Sequence, residues 1–234
     1  MMRSEKELME NLEQILSTLR HELGNSVNSL KITLDVARQN YETFDDQKRK
    51  EYLNRGSELL TRQQRLVEAM KSYSQFRVNE QKEISFPSFW KHFLGWTSRR
   101  ALDEDIKIIY EDEIGPWLIM GDTGALHKAM TSIVSNAMEA VKGTDSPTIY
   151  LRTSRTNHSL KIVIQDNGCG ISESDLPRVF TPLFSTKKGK MGMGLPIARK
   201  LLIEMGGRIR IHSVFGRGTR ATVWLKGVDK QARE

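Results

Sequence analysis

The chain is poor in the features on which several classes of protein depend. Its 234 residues include one cysteine, so no internal disulfide framework can form, and this usage fits a reducing cytosol. No run of about 18 apolar residues occurs, so no membrane-spanning segment is expected. Glu5, Glu7, Glu10 and Glu13 interrupt the leucines of the first twenty residues, which no secretory signal tolerates. Low-complexity tracts are missing, and 38% hydrophobic residues is an ordinary share for a globular protein. These absences point to a cytoplasmic protein or a cytoplasmic fragment.

Charge is present in quantity but unevenly placed. The net charge is +7, from 36 Lys plus Arg against 29 Asp plus Glu. Residues 1–80 hold 13 of each sign, whereas residues 81–234 hold 23 basic and 16 acidic side chains. The whole surplus therefore lies in the second part. No Lys/Arg block exceeds three residues, and neither a zinc nor a helix-turn-helix signature accompanies the surplus, so no nucleic-acid partner is expected. A smaller anion such as a nucleotide suits the second part better.

The two parts have different periods. Between Glu5 and Tyr41 there is no proline, and Leu8, Leu12, Ile15, Leu19, Leu23, Val27, Leu30, Leu34 and Ala37 recur in steps of three and four. At about 100° per residue they form one stripe along a long amphipathic helix. Residues 40–46 are a polar break in which Asp45 or Asp46 can cap a second helix, which carries Leu53, Leu60, Val67, Met70 and Tyr73 and ends near Ser74. Two such helices cannot bury both stripes as a lone hairpin, so a homodimeric four-helix bundle is expected. Residues 76–85 read as a connector.

Helix and strand then alternate. Helices are expected from Pro87 to about Leu102, from the Gly121-Asp122-Thr123 cap to about Val141, and over 195–205. Strands are expected at 106–110, 117–120, 148–153, 160–165, 208–213 and 219–225. One turn is placed at Thr156-Asn157, another at Gly216 and Gly218. This describes an α/β sandwich of roughly 150 residues. The expected division is a helical hairpin at 1–76, a linker at 77–85 and the sandwich at 86–234.

Chemistry is concentrated at a few places. His21 lies opposite the leucine stripe, with Asn25 and Asn28 at i+4 and i+7, and Glu22 beside it. A carboxylate next to an outward imidazole can orient it and keep it basic, which suits a nucleophile. In the second part, Asp166-Asn167-Gly168-Cys169-Gly170-Ile171 follows directly on a strand. There the glycines admit a close approach and the carboxylate can take amino hydrogens from a planar ligand. Upstream, one helix presents Ser132, Asn136 and Glu139. Downstream, residues 186–195 form a loop rich in glycine and lysine that opens a helix, a suitable polyphosphate cradle. It is neither a Walker A loop nor a Rossmann fingerprint. The remaining histidines show no ligand spacing with each other or with Cys169, so no structural metal site is expected. Trp90, Trp96, Trp117 and Trp224 read as packing residues.

Taken in order, these segments resemble bacterial sensor histidine kinases of two-component systems, of the nitrogen-regulatory type, within the gyrase, heat-shock chaperone, histidine kinase and MutL ATPase superfamily. His21-Glu22-Leu23-Gly24-Asn25 resembles the phosphoacceptor box, Ser132–Ala140 the N box, and 166–171 the first glycine box. Residues 179–187 resemble the F box, Gly192-Met193-Gly194-Leu195-Pro196-Ile197 the second glycine box, and 206–219 the closing strand pair. The resemblance implies ATP and Mg2+ as cofactors. Asp166 would bind the adenine amino group, supported by Thr219 through water, with Gly168 and Gly170 allowing the base to approach. Asn136 would hold the magnesium ion. Gly192, Gly194 and Leu195 at the helix start, with Lys187 and Lys188, would meet the nucleotide's phosphates. His21 would accept the γ-phosphoryl group, Glu22 would act as base, and Asn25 would position a hydrolytic water.

Three departures stand out: Ser26 where the family usually has proline, Ser132 where many members have asparagine, and Lys190 in place of a common glycine. Without the proline, the helix bend expected after His21 is weakened. The reading is a homodimeric catalytic core that phosphorylates His21 from ATP and passes the group to an aspartate of a response-regulator receiver domain, with phosphatase activity as a second function. Two rivals remain open. One is a serine kinase or anti-sigma binding module of the same superfamily; the other is a catalytically weak scaffold or phosphatase.

Overall fold

The computed structural model describes residues 2–112, 114–155, 158–187 and 190–228, and within the first helix side chains at Ser17 and from Arg20 onward. The chain divides into two compact units. One contains the helical residues Glu5–Gln75 together with Pro182–Met193; the other is built from Phe76–Thr181 and Gly194–Glu234.

The helical unit consists of α1 (Met2–Gln39) and α2 (Asp46–Gln75). Helix α1 runs unbroken through Ser26, as the missing proline allows. Asp45 Oδ1 accepts the N–H of Lys48 at 2.7 Å, which caps α2, and Arg49 returns to the carbonyl of Tyr41 at 2.9 Å. Gly56 faces Leu30 and Leu34, while Arg62, further along α2, meets Glu22, further back on α1. The two helices therefore run antiparallel. Their apolar stripe is only partly covered: Val27, Ile32, Leu34, Leu53, Leu60, Val67 and Met70 are all exposed, and Leu53 reaches 66%.

The second unit is an α/β sandwich. Strand β1 (Lys82–Ser85) pairs antiparallel with β3 (Leu118–Gly121). The segment expected as a connector thus contains a strand, whose only apolar residue, Ile84, gives too little alternation to be read from sequence. The main sheet has the order β2-β4-β5-β7-β6, where β2 is Lys107–Asp112, β4 Thr148–Arg155, β5 Ser159–Asp166, β6 Arg208–Val214 and β7 Gly218–Lys226. Only β2 and β4 run parallel. The turn expected at Thr156-Asn157 lies outside the described residues. Gly216 and Gly218 both have positive φ and close the β6–β7 hairpin.

Helices α3 (Phe86–Asp103), α4 (Thr123–Ala140) and α5 (Gly194–Glu204) cover one face of the sheet. Their inner sides are apolar: Phe86, Trp90 and Phe93 stack on one another in α3, and Leu126, Met130 and Val134 are fully buried in α4. Ile149, Leu151, Leu160, Ile162, Ile164, Val223 and Leu225 meet them from the sheet. Each such side chain contributes roughly 1.5–3 kcal/mol. Asp122 caps α4, its Oδ1 accepting the Ala125 N–H at 3.0 Å. The segment entering the sandwich is pinned as well. Lys200 Nζ donates to the Phe76 carbonyl at 2.5 Å and pairs with Glu204 at 2.8 Å. Glu204 Oε2 and Asp122 Oδ2 then take the N–H groups of Val78 and Asn79.

Candidate nucleotide and phosphoacceptor sites

Strand β5 ends on Asp166, whose carboxylate is held by two backbone N–H groups. Asp166 is 6% exposed, and its Oδ1 accepts the N–H of Gly168 at 2.9 Å and the N–H of Thr219 at 3.1 Å. Two backbone donors hold the carboxylate in one orientation and satisfy a buried polar group. Thr219 therefore does meet Asp166, through its own backbone. Its hydroxyl lies 2.9 Å from that of Ser213, which also takes the Ile171 N–H at 2.8 Å. Ser213 ties the loop after β5 to the β6–β7 hairpin, and nothing in the sequence pattern marked it. Asn167, inside the motif, reaches the other way: its amide bridges the Thr148 N–H and the Ser146 carbonyl.

The glycines have a second duty. A side chain on Gly168 would overlap the Ala140 carbonyl at the end of α4, and one on Gly170 would overlap the carbonyl of Val214. A side chain on Gly218 would overlap the Asp166 carbonyl. The chain packs against itself at these positions, so glycine is required to close the loop around Asp166 whatever the ligand.

Asn136 sits on α4 beside the start of α5, where a Cβ on Gly194 would stand 3.7 Å from its Nδ2. Leu195 follows in the first turn of α5 and is half-buried. The structure thus brings Asn136 and the α5 N-terminus together, an arrangement suited to anionic oxygens. Ser132, one turn before Asn136, instead gives its hydroxyl to the Lys128 carbonyl at 2.9 Å. Among the described residues no group of three His, Cys, Asp or Glu could hold a metal. A lone amide oxygen fits a magnesium ion that takes its other ligands from phosphates and water, as this ion usually does.

In the helical unit, His21 is exposed on α1, and the Asn25 amide nitrogen lies 3.1 Å from its Nδ1. Glu22 does not meet the imidazole. Its Oε2 accepts from Arg62 of α2 at 2.8 Å, a partner forty residues away that the sequence reading did not identify. Ser26 is buried, and among the described residues its hydroxyl has no hydrogen-bond partner. In the same unit, Lys187 is held by Ser185, which both donates to its carbonyl and accepts its N–H. Gly192 has φ +65°, and a side chain there would overlap the Phe184 carbonyl. Leu183 also adopts positive φ, a strained conformation for leucine. Lys188 lies outside the described residues.

Comparison with known proteins places this geometry. Residues 121–228 match the family of histidine kinase-, DNA gyrase B- and HSP90-like ATPases. Sensor histidine kinase ZraS of Salmonella typhi is 28% identical over 140 residues, spanning 60% of this chain and 30% of its own length. Signal transduction histidine-protein kinase AtoS of Escherichia coli K12 is 24% identical over 225 residues, spanning 95% of this chain and 36% of its own. The chain thus corresponds to about a third of these relatives. Among solved structures, histidine kinase ThkA in complex with the response regulator protein TrrA superposes with a TM-score of 0.61 at 20% identity, over 97% of this chain and 65% of that one. Mycobacterial sensor histidine kinase MprB gives 0.54 at 24% identity, over 63% of this chain and 98% of that one.

The sandwich is therefore an ATP-binding domain of the histidine kinase, gyrase B and HSP90 type. Over most of its length the chain is also similar to bacterial sensor histidine kinases.

Proposed function

We propose that the chain is the catalytic core of a sensor histidine kinase that phosphorylates itself on His21 and passes the phosphoryl group to an aspartate of a response-regulator receiver domain. The observation that carries this reading is the buried Asp166 carboxylate, fixed by two backbone amides, on a chain that also presents His21 exposed on a helix. Asp166 recognises the adenine amino group. Asn136 holds the magnesium ion, and the α5 N-terminus at Gly194 and Leu195, with Gly192, Lys187 and Lys188, receives the phosphates. ATP with Mg2+ supplies an activated γ-phosphoryl group whose charge is partly neutralised.

The chain's own residues do the rest. An imidazole nitrogen of His21 forms the bond to phosphorus as the bond to the bridging oxygen of ADP breaks, and Glu22, once it leaves Arg62 and turns to the adjacent imidazole, takes up the ring proton. Such a transfer needs mainly alignment and charge neutralisation, which a rigid helix and a fixed cradle provide. The exposed stripe of α1 and α2 is covered by a second copy, giving a four-helix bundle, and the polar face around His21 receives the receiver domain. Residues 1–76 are the dimerisation and phosphoacceptor part, 77–85 the link and 86–234 the ATP-binding part, all in the cytoplasm. Asn25, beside the imidazole, positions the water that hydrolyses a receiver's aspartyl phosphate.

The test is incubation with Mg2+ and γ-labelled ATP beside His21→Gln and Asn136→Ala. An acid-labile, alkali-stable label lost in both variants is expected. An acid-stable label that survives His21→Gln would overturn the reading in favour of a serine kinase. A second reading, a phosphatase-dominated or weakly active core, is favoured by the engagement of Glu22 with Arg62. It predicts ATP binding without retained label.

A further inference from the structure

The helices of the sandwich cover one face of the main sheet, and the opposite face is rich in arginine and lysine. Register fixes its layout. Opposed residues across antiparallel strands point to the same side, so Tyr150 is level with Gln165 and Arg220, Val163 with Arg152 and Thr222, and Trp224 with Lys161 and Arg208. Tyr150 on β4, Val163 on β5 and Trp224 on β7 each advance one strand and one row. They form a diagonal apolar stripe across the sheet, with Tyr150 45% exposed.

Basic side chains flank the stripe on both sides: Arg210 and Arg220 on one, Arg152 and Lys161 on the other. Among the described strand residues of this face the one carboxylate is Glu111, already 3.3 Å from Arg152. A face serving only to meet water would mix its signs, because like charges on neighbouring strands repel. An apolar centre with a rim of one charge has instead the anatomy of a binding surface.

We propose that this face docks an amphipathic, acid-rich helix of a partner protein, whose apolar side lies along Tyr150, Val163 and Trp224 and whose carboxylates meet the flanking guanidinium and ammonium groups. The dimensions agree. With strands about 4.8 Å apart and alternate residues about 6.8 Å apart along each, the stripe is about 17 Å long, or about 11 residues of helix. Arginine outnumbers lysine in the rim, as suits forked pairing with carboxylates. Nucleic acid fits less well, because Arg208 already stands over the Trp224 ring, 4.6 Å from its centre, where a base would stack. A bilayer would place the charges in one plane, with no need for a bounded stripe. This inference does not depend on the phosphotransfer reading.

The test uses the full chain and a fluorescein-labelled helical peptide of about 18 residues, leucines on one face and glutamates beside them. Saturable binding that weakens as salt rises is expected. A peptide of the same composition in scrambled order should bind at least about tenfold more weakly. R210E/R220E and R152E/K161E should each weaken binding by at least about tenfold while retaining nucleotide binding, which shows that the sandwich is intact. Equal binding of the scrambled peptide would overturn the proposal, as would unchanged binding by both variants or no saturation by about 1 mM. Tighter binding of phosphatidylserine vesicles or of a single-stranded oligonucleotide would overturn it too, and would assign the face to a lipid surface or to nucleic acid.

Discussion

The two units solve the burial problem in opposite ways. In the sandwich, the large apolar residues of α3 and α4 and the inner positions of the sheet are almost wholly withdrawn from water. In the hairpin, Val27, Ile32, Leu34, Leu53, Leu60, Val67 and Met70 remain exposed, while two polar residues, Ser26 and Thr33, are buried. The sandwich closes its own core; the hairpin has an apolar stripe that one copy of the chain leaves uncovered. The same hydrophobic effect thus yields a self-sufficient unit where helices back onto a sheet, and an incomplete one where two helices meet alone.

The largest effect that sharpens this contrast is expected from paired truncations. Leu126→Ala, inside α4, should cost the sandwich about 2–5 kcal/mol, since it leaves a cavity in a sealed core. Leu53→Ala should change the stability of a dilute monomer by less than about 0.5 kcal/mol and instead weaken association as protein concentration rises. All four tryptophans lie in the sandwich. Urea unfolding followed by tryptophan fluorescence therefore reads that unit, while sedimentation at several concentrations reads the hairpin. A concentration-independent loss in Leu53→Ala would break the contrast.

A middle-sized effect lies at Asp122. The N–H of Ala125 above all, then those of Asn79, Gly124 and Glu80, hold its carboxyl below the usual carboxylate range, against a smaller opposing push from burial. A lowered folded pKa means stability that is present above the unfolded value and lost as pH falls through the folded one. Asp122→Ala should cost about 1 kcal/mol near neutral pH, as loss of a helix cap does. The difference from the parent should shrink in acid. A gap that stays constant down to acid pH would remove the carboxylate from the account.

The smallest effect is expected at Arg62. Its side chain is 61% exposed and that of Glu22 34%, so Arg62→Met should shift hairpin stability by less than about 1 kcal/mol in thermal melts followed by circular dichroism. A larger loss would show that the hairpin depends on this pair more than on its apolar contacts around Leu66 and Ala69.

Much of this was legible from the sequence, and what was not has a common cause. The cap at Asp122, the helix that follows it and the alternation of β4 and β5 depend on residues within a few positions of one another, and they lie where the pattern put them. Strand β1 is stabilised by β3, more than thirty residues away, and its own sequence says little. The ion pair of Glu22 with Arg62 and the link from Ser213 to Ile171 are equally remote in sequence. The motif glycines were read as room for a ligand, yet Gly168 and Gly170 are required because backbone from elsewhere in the chain fills that space. Local signals reveal elements; only the closed fold reveals which groups they bring together.

The pinned entry into the sandwich has a practical consequence for truncation. Phe76 supplies a carbonyl to the nearly buried ammonium of Lys200, while Val78 and Asn79 commit their N–H groups to Glu204 and Asp122. A fragment starting at residue 86 would discard β1 and these partners, the Phe76 carbonyl that meets Lys200 among them. The shortest excised domain expected to melt cooperatively therefore begins no later than Phe76.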